Sequence, residues 1–267
     1  LNPTMSSLPI EAVLPEILRT LRDRPNAVLT APPGAGKTTR IPLALLDASW
    51  LHGKKLLMLE PRRLAASAAA HRMAVTLNES VGETVGYRMR LDTKVGPNTR
   101  IEVVTEGILT RLLQHDPSLE AYAMVLFDEF HERSLQADTG LALCLETQRL
   151  FRPDLRLLVM SATLDCGPVG LLLGQAPTIR CDGRMFPVET CYLDQPVSSR
   201  LDLAVTQIIR RALAHEQGSL LVFLPGMADI RRIERTLLDA ALGPNILVAP
   251  LHGDLLQALQ EGAIESA

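Results

Sequence analysis

The chain has 267 residues, 47% of them hydrophobic, enough to bury the core of one large or two small domains. Its formal net charge of −3 excludes a basic protein that coats nucleic acid, so any nucleic-acid contact must come from a local patch. Aromatic residues make up 3%, which argues against base-stacking platforms, and no apolar run approaches the roughly 18 residues of a membrane span.

Cysteine usage and the N-terminal residues bear on the compartment. None of the four cysteines sits in a Cys-x-x-Cys pair, which argues against a zinc site or disulfide framework and fits a reducing compartment. Residues 1–9 lack the basic region and apolar core of a secretory signal, and they resemble a disordered lead-in. We therefore expect a cytoplasmic protein without membrane contact.

Helical and β-prone stretches alternate along residues 10–182. Apolar spacing predicts a first helix over residues 10–21, with Pro15 in its first turns. Strands are predicted at 26–30, 55–60, 100–105, 123–127 and 155–160, with a short strand or hairpin piece at 82–91. Helices are predicted at 38–48, 64–77, through 113, and at 137–150. The alternation predicts an α/β fold, a parallel sheet with helices on both faces, whose ligands bind at the carboxyl ends of the strands.

The alternation breaks around residues 181–187, which read as a connector into a second unit. There we predict helices over residues 201–212 and 230–241 and strands over 219–224 and 246–249. The predicted domains are therefore residues 10–182 and residues 183–267.

The stretch Ala31-Pro-Pro-Gly-Ala-Gly-Lys-Thr-Thr39 has the pattern of a phosphate-binding loop between a strand and a helix. Its backbone N–H groups, including those of Gly34, Ala35 and Gly36, would surround phosphate oxygens at the positive end of the helix. Lys37 would reach the β- and γ-phosphates, and the Thr38 hydroxyl would hold Mg²⁺. The alternative is a Pro/Gly turn before a basic helix.

Two acids follow the apolar run 123–127. Asp128 would hold the Mg²⁺ together with Thr38, and Glu129 would orient or deprotonate the attacking water. The alternative is a solvated acidic pair in a turn. His131 is a candidate to bond to a second domain or to sense the γ-phosphate, or is a helix-start histidine without a role.

Further polar residues stand at predicted strand ends. Ser161 and Thr163 could link the metal site to a domain interface by hydrogen bonds. A second set, at the ends of the second and third strands, offers a grip on a sugar–phosphate backbone. It comprises Arg62, Arg63, Thr105 and Gly107. In isolation the arginine pair is more typical of a solvated helix start.

Taken together, the motifs resemble the DEAH-box helicases of superfamily 2, in order and in spacing. The Glu-Phe-His-Glu-Arg stretch at residues 129–133 is most similar to the bacterial HrpB-type ATP-dependent helicases. Residues 221–226 and 250–253 resemble the start of the second RecA-like domain of that family. The fold implied is a P-loop NTPase with one RecA-like ATP-binding domain and part of a second.

The resemblance also implies cofactors, partners and roles. It implies ATP on residues 34–39, including Thr39, Mg²⁺ on Thr38 and Asp128, and single-stranded nucleic acid, RNA in particular, on the arginine pair, Thr105 and Gly107. Lys37, Asp128, Glu129 and His131 would be the catalytic set. Arg72 matches, by spacing, the arginine that stacks on adenine, and other nucleoside triphosphates are expected to serve as well.

The C-terminal residues depart from the family pattern. The family continues with a Thr-rich motif and with a Gln-x-x-Gly-Arg-x-Gly-Arg motif that supplies the arginine finger, and neither occurs in residues 251–267. We therefore expect the second domain to be incomplete, and this chain to bind nucleotide, hydrolyse it slowly and unwind little.

Three functions are consistent with the sequence. The first is an RNA-dependent NTPase of the DEAH helicase type, and the second is a P-loop ATPase that does not translocate. The third is a non-catalytic nucleotide-binding module. Stimulation of ATP turnover by RNA separates the first two, and binding without turnover selects the third.

Overall fold

The computed structural model describes most of the chain, beginning at Leu8. The described residues are 8–162, 167–183, 187–193, 200–240, 242–243, 245–253, 255, 259–260 and 262–263. The chain divides into two compact units, Leu1–Phe186 and Pro187–Ala267.

The first unit alternates strands and helices. Its strands are β1 (Asn26–Thr30), β2 (Lys55–Glu60), β3 (Val85–Met89), β4 (Asp92–Lys94), β5 (Ile101–Thr105), β6 (Tyr122–Phe127), β7 (Arg156–Ser161) and β8 (Thr178–Arg180). Its helices are α1 (Leu14–Asp23), α2 (Lys37–Leu45), α3 (Arg63–Thr76), α4 (Glu106–His115), α5 (Leu135–Leu150) and α6 (Gly167–Leu172). Short 3-10 turns lie at Pro9–Ala12, Ser49–Leu51 and Phe130–Glu132.

The eight strands form one sheet in the order β4-β3-β5-β2-β6-β7-β1-β8. All neighbours run parallel except the β3–β4 hairpin. Because β5, β2, β6, β7 and β1 are consecutive neighbours, the segments that follow them lie side by side along one edge of the sheet. This edge brings together polar motifs that are far apart in sequence.

Apolar side chains cover both faces of the sheet. Leu29 and Met58 face the layer of α1, α2 and α3, whereas Val28 and Leu57 face the layer of α4 and α5. This period of two within continuously apolar strands is expected for a parallel sheet buried on both sides. The predicted α/β fold, with helices on both faces of a parallel sheet, is confirmed.

The second unit contains α7 (Leu201–His215) and α8 (Met227–Asp239), which pack through Ile209, Ile233 and Leu237. Both helices were predicted. The strands predicted at 219–224 and 246–249 were wrong: neither segment is a strand in the structure. A strand needs a hydrogen-bonded partner, and the side chain of Phe223 is 87% exposed. None of the helices among the described residues is long and apolar enough to cross a membrane.

Candidate nucleotide and nucleic-acid site

The phosphate-binding loop connects β1 to α2. Gly34 and Gly36 have φ angles of +75° and +95°, in the left-handed region that favours glycine. A Cβ on Gly36 would also lie 2.7 Å from Leu8 Cδ1, whereas a Cβ on Gly34 would meet open space. Leu8 and the turn that follows it therefore support the loop from outside, and the Ile10 N–H donates to the Ala35 carbonyl at 3.1 Å.

Ala31 stands where the general motif has glycine. It is fully buried, its N–H donates to the Ser161 carbonyl at 3.0 Å, and its φ is not positive. The position therefore requires a small residue and does not require glycine, which explains why alanine is accepted there.

Helix α2 begins at Lys37, which is 3% exposed. Its Nζ lies 2.6 Å from Glu129 Oε1, and Glu129 is 92 residues away in sequence. The next residue, Thr38, donates from Oγ1 to Asp128 Oδ2 at 2.5 Å. Thr39 is half-buried in the same first turn. The predicted lysine, threonine and two acids thus lie together at one place.

Asp128 directly follows β6, and its N–H donates to the Leu59 carbonyl at 3.0 Å. The Oδ1 atom of Asp128, which is not the one that Thr38 contacts, accepts from the Glu129 N–H at 2.8 Å. Burial raises the pKa of the Asp128 carboxyl, and the Thr38 hydrogen bond and Lys37 partly oppose that rise. A divalent cation would stabilise the charged carboxylate here, so the donor set fits a cation site.

Glu129 has a φ of 48° and a ψ of 35°, the left-handed conformation, which costs a non-glycine residue roughly 1–2 kcal/mol. This residue precedes the Phe130–Glu132 turn, whose Phe130 is buried against Phe127. At Glu129 the chain turns away from the direction of β6, and the carboxylate of Glu129 lies against Lys37. Backbone strain at such a position is typical of functional sites.

Sequence reasoning missed Glu60, the last residue of β2. It is 2% exposed and hydrogen-bonds to Asp128. Burial, followed by repulsion from Asp128, raises the pKa of Glu60 from 4.5 to about 9. The sequence feature that could have indicated Glu60 is a glutamate directly after the apolar residues 56–59. Its proximity to Asp128, however, depends on the pairing of β2 with β6, which no sequence pattern predicts.

Glu60 makes stability depend on pH. Its folded pKa is raised, so the folded protein keeps a proton that the unfolded chain releases above pH 4.5, and stability falls as pH rises towards about 9. In metal-free buffer, Glu60→Gln should therefore be more stable than the wild type at about pH 8.5 by on the order of 2 kcal/mol, and the difference should shrink at about pH 5.5.

Urea unfolding of both proteins at the two pH values measures this difference. Glu146→Gln removes a carboxylate from the exposed side of α5 and serves as the control, with no pH-dependent gain expected. Parallel pH profiles for wild type and Glu60→Gln would contradict the assignment of the proton.

His131 lies in the turn after Glu129, and its Nδ1 accepts from the Ala162 N–H at 3.3 Å. The same nitrogen lies 3.4 Å from Glu129 Oε2. Ser161 ends β7 and is 4% exposed. The structure thus joins His131 to the Ser-Ala-Thr segment, and Thr163 lies outside the described residues.

The predicted nucleic-acid residues lie further along the same edge, after β2 and β5. Arg62 and Arg63 are exposed at the start of α3. Thr105 ends β5 and pairs in register with Glu60, and Gly107 is exposed in the first turn of α4. A Cβ on Gly107 would meet nothing within 4 Å, so its backbone faces open space.

Arg72 is exposed in the C-terminal half of α3, whereas the arginine pair lies at the start of that helix. Within the described residues no hydrogen bond or ion pair joins its side chain to the phosphate-binding loop. Its stacking on adenine stays a prediction.

Comparison with known proteins identifies the family. The chain is 52% identical to the ATP-dependent RNA helicase HrpB of Escherichia coli over 97% of its own length and 32% of that protein. It is 34% identical to a putative pre-mRNA-splicing factor ATP-dependent RNA helicase of Schizosaccharomyces pombe, over 96% of the chain and 40% of that protein. The chain thus spans between a third and two fifths of the length of these relatives.

Solved structures agree with the sequence relatives. A crystal structure of the E. coli DEAH/RHA helicase HrpB superposes with a TM-score of 0.90 at 51% identity, over 97% of this chain and 33% of that one. A crystal structure of the E. coli DExH-box NTPase HrpB gives a TM-score of 0.80 at 50% identity, over 98% and 32% of the two chains. Residues 11–169 match the DEAD/DEAH box helicase family, and the chain belongs to that family.

Proposed function

We propose that this chain carries the ATP-binding part of a DEAH-type ATP-dependent RNA helicase, in which hydrolysis of Mg-ATP drives movement on single-stranded RNA. The observation that carries the proposal is the pair of contacts Lys37–Glu129 and Thr38–Asp128, which join the phosphate-binding loop to the acidic motif at 2.6 and 2.5 Å. The two relatives named above are RNA helicases by name, which favours RNA over DNA.

Nucleotide binding would exchange partners at Lys37. The buried ammonium of Lys37 now holds the Glu129 carboxylate, and a β- or γ-phosphate oxygen would take the place of that carboxylate. The loop N–H groups and the start of α2 add further donors for phosphate. Thr38 and Asp128 would hold Mg²⁺, which neutralises phosphate charge when bound.

Glu129, once released from Lys37, is the base of the proposed hydrolysis. Its side chain is 27% exposed, so water can reach it. Water attacks the γ-phosphorus while the bond to the β–γ bridging oxygen breaks, Glu129 accepts the water proton, and ADP and phosphate leave. Lys37 stabilises the negative charge of the transferred phosphoryl group.

The division into domains is part of the proposal. Residues 10–182 would be the RecA-like ATP-binding domain and residues 183–267 the start of a second RecA-like domain. The separation of the chain into compact units between Phe186 and Pro187 supports this division.

The experiment that tests the proposed function is ATP hydrolysis by this chain, measured with and without single-stranded RNA, with single-stranded DNA of the same sequence as a control. We expect slow hydrolysis. We also expect RNA affinity that falls as the salt concentration rises, because contacts to RNA phosphates dominate that affinity. Hydrolysis in the absence of Mg²⁺, or RNA affinity that does not change with salt, would contradict the proposal.

Gly107 offers a second test on the nucleic-acid side. Since a Cβ there meets open space, Gly107→Ala should fold normally and gain up to about 1 kcal/mol in helix α4. A nucleic-acid backbone seated against Gly107 would collide with the new methyl group, so RNA affinity should fall by roughly tenfold.

Gly226→Ala is the matched control. Gly226 is also at a helix start, has no positive φ and has open space around its Cβ, but it lies in the second unit. RNA affinity and melting temperature of both variants measure the difference. Unchanged RNA affinity in Gly107→Ala would remove Gly107 from the proposed grip.

A further inference from the structure

One short turn touches three strand ends. In the segment 129–132, Glu129 reaches Lys37 of the phosphate-binding loop, His131 accepts from the Ala162 N–H after β7, and Glu132 reaches Arg62 after β2. The turn that carries the proposed base therefore also contacts the proposed nucleic-acid surface.

The contact between Arg62 and Glu132 resembles a phosphate contact. Arg62 Nε donates to Glu132 Oε2 at 3.2 Å, and Nη2 lies 3.1 Å from Oε1, so both carboxylate oxygens lie against the guanidinium. A guanidinium uses the same Nε and Nη groups to bind the oxygens of a phosphate. Glu132 thus occupies the face of Arg62 that would bind an RNA phosphate.

We propose that Glu132 is a competitor for RNA at Arg62, a carboxylate that closes this part of the RNA-binding surface until a phosphate displaces it. The inference rests on the proposed function, because it takes Arg62 as an RNA contact. Glu132 then has a regulatory role, because RNA binding at Arg62 frees the turn that carries Glu129.

The ion pair between Arg62 and Glu132 is weak enough for an RNA phosphate to displace Glu132. The Arg62 and Glu132 side chains are 72% and 35% exposed, and solvent screening makes ion pairs of such exposure weak. A phosphate of RNA, which carries a full charge and neighbouring phosphates, can replace that carboxylate.

The backbone of the turn transmits the release. The Glu132 N–H donates to the Glu129 carbonyl at 2.9 Å, so the two residues are joined directly. Glu129 and Arg133 have φ angles of 48° and 49°, so both ends of the turn have the positive φ that side-chain-bearing residues rarely adopt. Segments held in sparsely populated conformations are common in switches.

A double-mutant cycle tests the competition. Glu132→Gln should raise RNA affinity about three- to fivefold at low salt, because the competing charge is gone. In the Arg62→Ala background the same substitution should leave RNA affinity unchanged, since there is no contact to release. Glu146→Gln removes one negative charge from the exposed side of α5 and controls for net charge.

Hydrogen exchange of the Glu132 amide supplies a readout that a purely structural ion pair would not give. RNA should speed exchange of this amide in the wild type and leave it unchanged in Arg62→Ala. If Glu132→Gln tightens RNA binding equally in both backgrounds, or leaves it unchanged while Arg62→Ala weakens it, the competition is overturned and the proposed function stands. If the wild type binds no RNA, the proposed function itself fails.

Discussion

Replacing Glu129 by glutamine is expected to slow ATP hydrolysis by about 10²–10⁴-fold while Mg-ATP binding is kept or slightly strengthened. The amide cannot accept a proton from water, so catalysis by the base is lost. It also cannot pair as a charge with Lys37, now 2.6 Å away, so the phosphate no longer has to displace a carboxylate from that ammonium. Steady-state turnover and calorimetric ATP titration measure the two effects separately.

Asp128→Asn is the matched comparison. Like Glu129→Gln, it replaces one carboxylate oxygen by an amide nitrogen, but at the residue that contacts Thr38. It should weaken Mg²⁺-dependent ATP binding. Equal loss of nucleotide binding in the two variants would show that the roles of Asp128 and Glu129 have been divided wrongly.

Replacing Lys37 by alanine should abolish measurable ATP binding. Lys37 is 3% exposed. Removing one partner of a buried charge pair, here the partner of a phosphate oxygen, typically costs about 2–5 kcal/mol, or roughly 30- to 5000-fold in affinity. The fold should survive, because Glu129 is partly exposed and can be hydrated when its partner is removed.

Lys94→Ala is the control for this variant. Lys94 is an exposed lysine in β4, at the opposite edge of the sheet from β1 and its phosphate-binding loop. Calorimetry should give wild-type affinity for Lys94→Ala. Undiminished ATP affinity in Lys37→Ala would remove the phosphate-binding loop from the account.

The elements that the sequence predicts well are those with a local physical cause. β2 and β6 are almost wholly apolar because both of their faces are buried, and residues 55–60 and 123–127 were predicted within one residue of the observed bounds. The loop at residues 31–39 could be recognised because glycine and lysine are needed there for conformation and charge.

What could not be predicted depends on the order of strands in space. Glu60 meets Asp128 only because β2 pairs with β6, and Arg62 meets Glu132 across 70 residues for the same reason. Neither contact leaves a local pattern in the sequence, because the spatial neighbours of a strand in a parallel sheet are set by long crossovers.

Strand predictions failed where apolar runs lacked partners. The run 219–224 has strand-like composition, but composition describes a surface that suits a sheet and does not supply the neighbouring strand. Conversely, α6 and β8 were missed. β8 is three residues long and its middle residue alone is buried, which is too short for an alternating pattern to be recognised.

The most direct test of the central claim is a calorimetric titration of the wild-type chain with ATP, with and without Mg²⁺. The claim is that Lys37, Thr38 and Asp128 form one site for Mg-ATP. We predict one nucleotide bound per chain, with affinity that falls when Mg²⁺ is chelated. No binding, or an affinity that is the same with and without Mg²⁺, would contradict it.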